Sequence, residues 1–261
     1  KRAISIYSSA LTIQRSEISQ NSTNISSKNG RIFIDNCNIH STTSFSGINT
    51  FDGELYVQNS KIFSNSQYGI RCSGDIKATI QNSFIESNGL SGVAITTLSN
   101  NSSVNLEEST IVSNGDAGLF ISDYGENSDA SISVIGNEFK DNYNGSFEIE
   151  SSYFIFIQNN KIFGNFIGHL WDNEEINITE EDNTDSFGNP RGLELKKIPS
   201  VSNKIQKAIS ENICTRSMTG RHFHKQTWYT CKTCDQEDHS GVCHSCLNNC
   251  HLGHEIIKTN T

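Results

Sequence analysis

The sequence is poor in proline, tryptophan and positive charge, and it has no long apolar run. Two prolines and two tryptophans occur in 261 residues, and 20 Lys and Arg face 29 Asp and Glu, for a formal charge of −9. No segment approaches the roughly 20 apolar residues of a membrane helix, so we expect a soluble chain without a membrane partner. An acidic chain lacks the basic surface that phosphates require, which argues against nucleic acid as a partner.

Methionine and disulfide-forming cysteines are scarce as well. The chain begins at Lys1 and its single methionine is Met218. We therefore expect a fragment of a longer protein and draw nothing from the lack of a targeting signal. Only Cys37 and Cys72 lie outside the C-terminal segment, which fits a reducing compartment, cytoplasm or nucleus, better than a disulfide framework.

Residues 1–180 contain a repeat whose glycines, Gly47, Gly69, Gly92, Gly118 and Gly145, recur every 22 to 27 residues. Each unit has an alternating apolar pair, which is the period of a strand. Another apolar residue follows five positions later, and three further on comes asparagine in all units but the second, which has Thr42. The pairs are Leu11/Ile13, Ile32/Ile34, Leu55/Val57, Ala78/Ile80, Val104/Leu106, Ile132/Val134 and Ile155/Ile157.

Units this short cannot bury an apolar face alone, but stacked coils can. The pattern predicts an all-β solenoid, a right-handed parallel β-helix of about seven to eight coils, with Ile176/Ile178 as an eighth strand. We expect the asparagines to occupy left-handed corners, because Asn tolerates that conformation, and to hydrogen-bond from one coil to the next.

Two units carry insertions, at residues 97–103 and 122–129, between their first and second strands. The longer loops should therefore stack on one edge of the solenoid. Insertions gathered on one edge often form a binding face, and tolerated loop variation is the alternative. The candidate binding residues are Asp123, Tyr124, Glu126 and Asn127.

Residues 181–212 read as a linker that follows an acidic stretch and contains both prolines, Pro190 and Pro199. Val201, Ile205, Ala208 and Ile209 share one side at helical spacing, which predicts a helix. We expect this helix to cap the last coil or to bridge to the C-terminal segment.

Carbohydrate-active β-helices need clustered acids, as paired carboxylates for hydrolysis or as cation ligands beside a base. The acids here are scattered, and no Asp-Asp pair occurs. Asn183-Thr184-Asp185 resembles a polygalacturonase motif but lacks the partner motifs. A carbohydrate-binding or carbohydrate-active solenoid, or a structural scaffold, remains the alternative to protein recognition.

Six of the eight cysteines and six of the eight histidines fall between Cys214 and Thr261. Two C-x-x-C pairs followed by H-x-x-H strongly indicate Zn²⁺, which takes Cys sulfur and His nitrogen in a tetrahedral shell. The candidate ligands are Cys214, Cys231, Cys234, Cys243, Cys246, His251 and His254.

The order of residues over 213–261 is similar to the UBR box, the zinc fold of N-recognin ubiquitin ligases. It is carried by Cys214-Thr215, Phe223, Gln226-x-Trp228-Tyr229-x-Cys231-x-Thr233-Cys234, Gly241-Val242-Cys243-x-x-Cys246 and Cys250-His251-x-x-His254-Glu255. The resemblance implies a structural Cys2His2 zinc site at Cys231, Cys234, His251 and His254. It also implies a two-metal cluster that includes Cys214, Cys243 and a bridging Cys246. The family's remaining ligands are not found before Thr261, and Cys250, His239 or His244 are candidates to replace them.

UBR boxes bind the free N-terminus and first side chain of a substrate with acidic residues. Asp238, with Glu237, occupies the loop where the family places one such acid, and a solvent-facing loop acid is the alternative. The domain order resembles the β-helix F-box substrate receptors of cullin-type ubiquitin ligases, although no F-box is visible. We therefore expect a non-catalytic recognition fragment. Its expected partners are protein substrates, including N-degron peptides, and cullin adaptors or other ligase subunits.

Overall fold

The computed structural model describes residues 2–122, 129–151, 153–163, 167–171, 177–185, 187–190, 194–198, 201–219, 227–234 and 241–259. The chain forms two compact units. The first comprises Lys1–Leu170 and Glu174–Lys197, and the second comprises Trp171–Asn173 and Ile198–Thr261.

In the described residues up to 198, short strands follow one another without a helix. They are β1 (Arg2–Tyr7), β2 (Ala10–Gln14), β3 (Glu17–Ser19), β4 (Thr23–Asp35), β5 (Asn38–His40), β6 (Ile48–Gln58), β7 (Lys61–Phe63), β8 (Ile70–Gln81), β9 (Phe84–Glu86), β10 (Val93–Leu98), β11 (Ser103–Glu107), β12 (Thr110–Val112), β13 (Leu119–Ser122), β14 (Ser131–Ile135), β15 (Glu138–Lys140), β16 (Phe147–Glu150), β17 (Phe154–Gln158), β18 (Lys161–Phe163), β19 (Ile167–Trp171), β20 (Asn177–Glu181) and β21 (Glu194–Ile198).

The strands from β1 to β20 pair in parallel with their counterparts one coil away, which confirms the parallel β-solenoid. Among the described residues, β3, β5, β7, β9, β12, β15 and β18 form a seven-stranded sheet, and the other strands up to β21 form a fourteen-stranded one. The predicted register is also confirmed. Leu11 is aligned with Ile32, Ile32 with Leu55, and the alignment continues through Ala78, Val104, Ile132 and Ile155.

The interior consists of stacked aliphatic side chains. From the second coil onward the predicted pairs are fully or almost fully buried, and so is the column from Ile39 to Ile162 that faces them. Burial of this apolar surface is the main favourable term in the solenoid's stability.

The predicted asparagine ladder exists, but its backbone explanation was wrong. Asn65 donates from Nδ2 to Oδ1 of Asn88 at 2.9 Å, Asn88 to Asn114 at 3.0 Å, and Asn114 to Asn142 at 2.9 Å. These asparagines do not adopt positive φ; the residue before each one does, as at Ser64, Ser87, Ser113 and Asp141. The asparagine is selected instead because its amide satisfies buried backbone groups at the corner.

A second polar ladder runs along the corner before the short strands β7, β9 and β12, and the sequence analysis missed it. The side-chain oxygens of Ser60, Ser83 and Ser109 accept the backbone N–H one coil back at 3.0 to 3.2 Å. Asn137, Asn160 and Asn183 continue the ladder toward the C-terminal end. The sequence signal was a small polar residue three positions after the second apolar residue of each pair, such as Ser60 after Val57.

The glycine column exists because the asparagine ladder occupies the space beside it. A Cβ at Gly92 would lie 2.9 Å from Nδ2 of Asn114 and 3.0 Å from the carbonyl oxygen of Gly118. Gly69 and Gly118 meet the same two kinds of neighbour. The asparagine side chain of one coil therefore packs against the glycine of the preceding coil, and the two columns of the repeat depend on each other.

The last coil corrects the predicted eighth strand. In β20, Ile178 is aligned with Ile155 and Glu180 with Ile157. This register makes Ile178/Glu180 the column pair of β20 in place of the predicted Ile176/Ile178. Ile176 itself lies outside the described residues. An acid at an interior column position explains why the apolar ladder ends here.

The two insertions lie beside each other where they are described. The backbone N–H of Asp129 donates to Oδ1 of Asn100 at 3.4 Å. The candidate binding residues Asp123, Tyr124, Glu126 and Asn127 lie outside the described residues, so the binding edge stays a prediction.

In the second unit, α1 (Val201–Ser210) lies at the position where the helical spacing predicts a helix. α2 (Thr215–Thr219), β22 (Trp228–Cys231), α3 (His244–Asn249) and β23 (Ile256–Thr259) follow. Ile205 and Ala208 of α1 are buried, and Ser245 of α3 donates to the Ala208 carbonyl at 3.3 Å. In the described part of the chain, no helix is long and apolar enough to cross a membrane.

We expect Asn88→Ala to lower the free energy of unfolding of the solenoid by about 3 kcal/mol, because it leaves buried partners in two neighbouring coils unsatisfied. The amide of Asn88 serves Asn65, Asn114 and the Ile62 carbonyl. Asn38→Ala, at an exposed asparagine of β5, is the matched control and should change stability by less than about 0.5 kcal/mol. Urea denaturation measures both, and equal effects would contradict the ladder's role.

Candidate metal centre

A small antiparallel sheet holds the Cys- and His-rich segment together. β22 and β23 pair from Trp228/Thr259 to Cys231/Ile256. Tyr229 and Val242 exchange backbone hydrogen bonds at 3.0 and 2.7 Å, which places the segment before α3 along the other edge of β22. The two C-x-x-C segments are thereby fixed at neighbouring places.

The turn after β22 is bound to the turn that carries the histidines. The backbone N–H of Lys232 donates to the Glu255 carbonyl at 2.9 Å, and the N–H of Glu255 donates to Oγ1 of Thr233 at 2.9 Å. The N–H of His254 donates to the His251 carbonyl at 3.0 Å, which closes the H-x-x-H turn. The sequence analysis assigned no such bracing role to Thr233 and Glu255; their positions beside the ligands were the available signal.

Cys231, Cys234, His251 and His254 bring one ligand atom each into a group whose members lie within 4.8 Å of one another. His254 Nδ1 lies 3.4 Å from the sulfur of Cys231 and 3.3 Å from that of Cys234, and His251 Nδ1 lies 3.6 Å from Cys234. A tetrahedral zinc with Zn–S of about 2.3 Å and Zn–N of about 2.0 Å would separate sulfur from nitrogen by about 3.5 Å. The distances therefore fit zinc, with Nδ1 as the donor of both histidines.

Cys214, Cys243 and Cys246 form a second group within the same 4.8 Å limit. Cys243 is the N-cap residue of α3, Cys246 lies one turn into that helix, and Cys214 directly precedes α2. The helix start fixes two thiols on one face, and α2 brings the third toward them.

The electrostatics of the thiols show why a cation suits these groups. Burial raises the pKa of the Cys243 thiol, but hydrogen bonds from Cys246 and Thr215 outweigh burial and lower it to about 7. Burial and the thiols of Cys214 and Cys243 raise the pKa of Cys246. In the first group, the Cys231 thiol raises the pKa of Cys234. Crowded thiols resist ionising together, and a bound cation removes that penalty.

The candidate replacements for further ligands do not join the second group in the described residues. His244 faces away, with Nδ1 3.5 Å from the Tyr229 hydroxyl and Nε2 3.3 Å from the Asn248 amide. Cys250 is exposed and belongs to neither group. His239 and the candidate degron-binding acids Asp238 and Glu237 lie outside the described residues.

We expect the purified chain to contain zinc, and Cys234→Ala to lose the zinc of the four-ligand group and unfold the C-terminal unit. Metal binding supplies much of the folding free energy of so small a unit. Cys250→Ala removes an exposed thiol outside both groups and is the matched control. Elemental analysis gives the zinc content, and circular dichroism should show the strand signal of the solenoid unchanged. Wild-type zinc content in Cys234→Ala would contradict the ligand assignment.

The chain is similar to known proteins in both of its units. Residues 213–261 match the family described as "Putative zinc finger in N-recognin (UBR box)". The chain is 29% identical over 93 residues to "Auxin transport protein BIG" of Oryza sativa subsp. japonica, covering 33% of this chain and 2% of that protein. It is 33% identical over 51 residues to a "Probable E3 ubiquitin-protein ligase" of Dictyostelium discoideum, covering 20% of this chain and 1% of that protein. No solved structure matches.

The family comparison also covers the solenoid. Residues 1–132, half of the chain, match the family described as "Right handed beta helix region", in agreement with the parallel coils. The UBR box is a zinc-binding module, and the two Cys and His groups lie within its matched residues. The chain therefore belongs to the right-handed β-helix family and carries a zinc-finger segment of the UBR type at its C-terminal side.

Proposed function

We propose that this chain is a protein-recognition part of a ubiquitin ligase and that its UBR-type module contacts protein substrates. The observation that carries the proposal is the set of four donors Cys231, Cys234, His251 and His254, gathered inside the segment that matches N-recognin zinc fingers. The similarity to a protein described as a probable ubiquitin ligase supports it.

The proposed role is recognition rather than catalysis. Four protein donors complete a tetrahedral shell and leave no position for a reactive water, so zinc at this group is structural. Cys37 and Cys72 are buried inside the solenoid, and burial raises the pKa of Cys72 to about 12. A thiol that carries ubiquitin must be accessible and ionisable. The two solenoid cysteines therefore cannot carry ubiquitin, and we propose that a partner does so rather than the exposed Cys250.

The proposed substrate feature is a free N-terminus. Asp238, with Glu237, lies in the segment between the first C-x-x-C pair and Val242, and the resemblance to UBR boxes assigns one acid there to the substrate's α-ammonium group. A carboxylate against an ammonium is a charge-assisted contact that an acetylated N-terminus cannot make.

The proposed partners follow from the order of the two units. A β-helix followed by a UBR-type module resembles the F-box substrate receptors of cullin-type ligases, so cullin adaptors or other ligase subunits are the expected partners. The cytoplasm or nucleus, where such ligases act and where free thiols persist, is the proposed location.

We expect the zinc-loaded chain to bind a fluorescent peptide with a free N-terminus, and to bind the N-acetylated peptide at least tenfold more weakly. Peptides that begin with arginine and with phenylalanine should both be tried, since the first side chain sets the family's preference. Asp238→Asn should weaken binding about tenfold, or about 1.4 kcal/mol, through loss of the ammonium contact. Fluorescence anisotropy measures these affinities.

Glu211→Gln is the matched control, because Glu211 is an exposed acid of the same unit, just after α1. It should bind the free peptide as the wild-type chain does. Equal binding of free and acetylated peptides would overturn the N-degron proposal. Turnover of pectin-like polymers by the same preparation would instead favour a carbohydrate-active solenoid.

A further inference from the structure

An exposed aromatic and cationic stripe crosses the first three coils. Tyr7, Lys28 and Phe51 are register neighbours on β1, β4 and β6. Tyr7 is 62% exposed and Phe51 is 46% exposed, and Nζ of Lys28 lies 5.5 Å from the centre of the Phe51 ring. Among the described residues, Lys28 has no carboxylate partner. Two exposed aromatic rings thus flank a lysine that has no carboxylate partner, a surface suited to an apolar side chain and an anion together.

A guanidinium held by an acid lies three residues after Lys28 on β4. Arg31 donates to Glu54 at 2.8 Å, and the Tyr56 hydroxyl donates to the other oxygen of Glu54 at 3.3 Å. The Arg31 side chain nevertheless remains 65% exposed, so part of its donor fork faces water. Glu54 occupies one side of this guanidinium, and the N–H donors that face water are left for a second carboxylate.

A shallow groove of about 320 Å³ adjoins the stripe, and Arg31 and Glu54 are its charged lining residues. It lies where the coils bend at Ser8 and Asn29, which adopt φ of 48° and 54°. Gly30 and Gly53 line its floor, and a Cβ at Gly53 would lie 2.2 Å from the Gly30 carbonyl oxygen. Coil stacking therefore keeps the floor free of side chains, and a ligand can approach the backbone.

The charge of the solenoid differs sharply along its length. Residues 1–90 contain eight Lys and Arg and six Asp and Glu, whereas residues 91–185 contain two and seventeen. Asp52, the acid nearest the stripe in sequence, accepts the backbone N–H of Asp75 at 2.7 Å. An anionic ligand would be repelled by the later coils and directed to the first three.

We propose that the exposed stripe of Tyr7, Lys28 and Phe51, together with Arg31 of the adjoining groove, binds an extended acidic peptide segment of a partner protein. Carboxylates of the peptide pair with Lys28 and Arg31, and an apolar side chain packs on Tyr7 and Phe51. The inference rests on the proposed function only in that the chain recognises proteins. The groove would give a substrate a second contact, and two linked contacts bind more tightly than either alone.

The test uses a fluorescent ten-residue peptide that is N-acetylated, so that an N-terminus reader cannot bind it, and that contains four glutamates and two phenylalanines. The full zinc-loaded chain should bind this peptide, and added salt should weaken binding. Lys28→Glu and Phe51→Ser should each weaken it at least tenfold. A peptide with lysine in place of glutamate should not bind.

The solenoid offers matched controls at its other end. Lys140 lies 5.8 Å from the Phe163 ring, and Phe154 is 55% exposed. Lys140→Glu and Phe154→Ser repeat the same substitutions outside the groove and should leave affinity unchanged. Circular dichroism should be the same for all four variants, since all four side chains lie on the surface.

The proposed site is wrong if the acidic peptide does not bind. It is also wrong if the control variants lose as much peptide affinity as Lys28→Glu and Phe51→Ser. Binding of oligogalacturonate with the same dependence on Lys28 and Phe51, without peptide binding, would overturn it as well and would identify a carbohydrate site. Groove-dependent peptide binding in a chain that fails to distinguish free from acetylated N-termini would support the groove and reject the N-degron proposal. The acidic-peptide site and the N-degron proposal can therefore be rejected independently of each other.

Discussion

Satisfaction of buried polar groups at the corners of the coils is the constraint on which the solenoid depends. Each coil bends through a left-handed residue and leaves backbone groups without a partner in its own coil. The amides of Asn65, Asn88 and Asn114 bind these groups and also bind one another. That ladder fills the space beside Gly69 and Gly92, so glycine is required there. Strand register, apolar columns and corner ladders are consequently fixed together.

The C-terminal unit meets a different constraint, because it is too small to bury a sufficient apolar core. Among its described residues, few side chains are fully buried, notably Ala208, Cys231 and Ser245. Metal coordination can replace the missing core in such modules. The hydrogen bonds that bind the Lys232 turn to Glu255 bring the Cys and His turns together. α1 belongs to this unit and contacts α3 through Ala208. The stabilised region therefore extends upstream of the matched zinc-finger segment.

The sequence predicted most of what depends on periodicity. The apolar pairs from Leu11/Ile13 to Ile155/Ile157 are aligned as expected, because side-chain alternation and unit length together determine the register. The left-handed position was placed one residue too late, since Asn is favoured both at such corners and in buried ladders, and only backbone angles separate the two. The serine ladder was missed because serine is common in the whole chain. The spacing of Cys and His predicted which ligand atoms meet, whereas the bracing by Thr233 and Glu255 required coordinates.

The central claim is that a zinc-built module follows a parallel β-solenoid in this chain. The donor distances around Cys234 and His254 carry that claim, since they match a tetrahedron with sulfur and nitrogen corners. X-ray absorption at the zinc edge of the purified chain tests it most directly. The account predicts bound zinc with sulfur at about 2.3 Å and imidazole nitrogen at about 2.0 to 2.1 Å. A shell of oxygen and nitrogen without sulfur, or a C-terminal unit that folds without zinc, would contradict it.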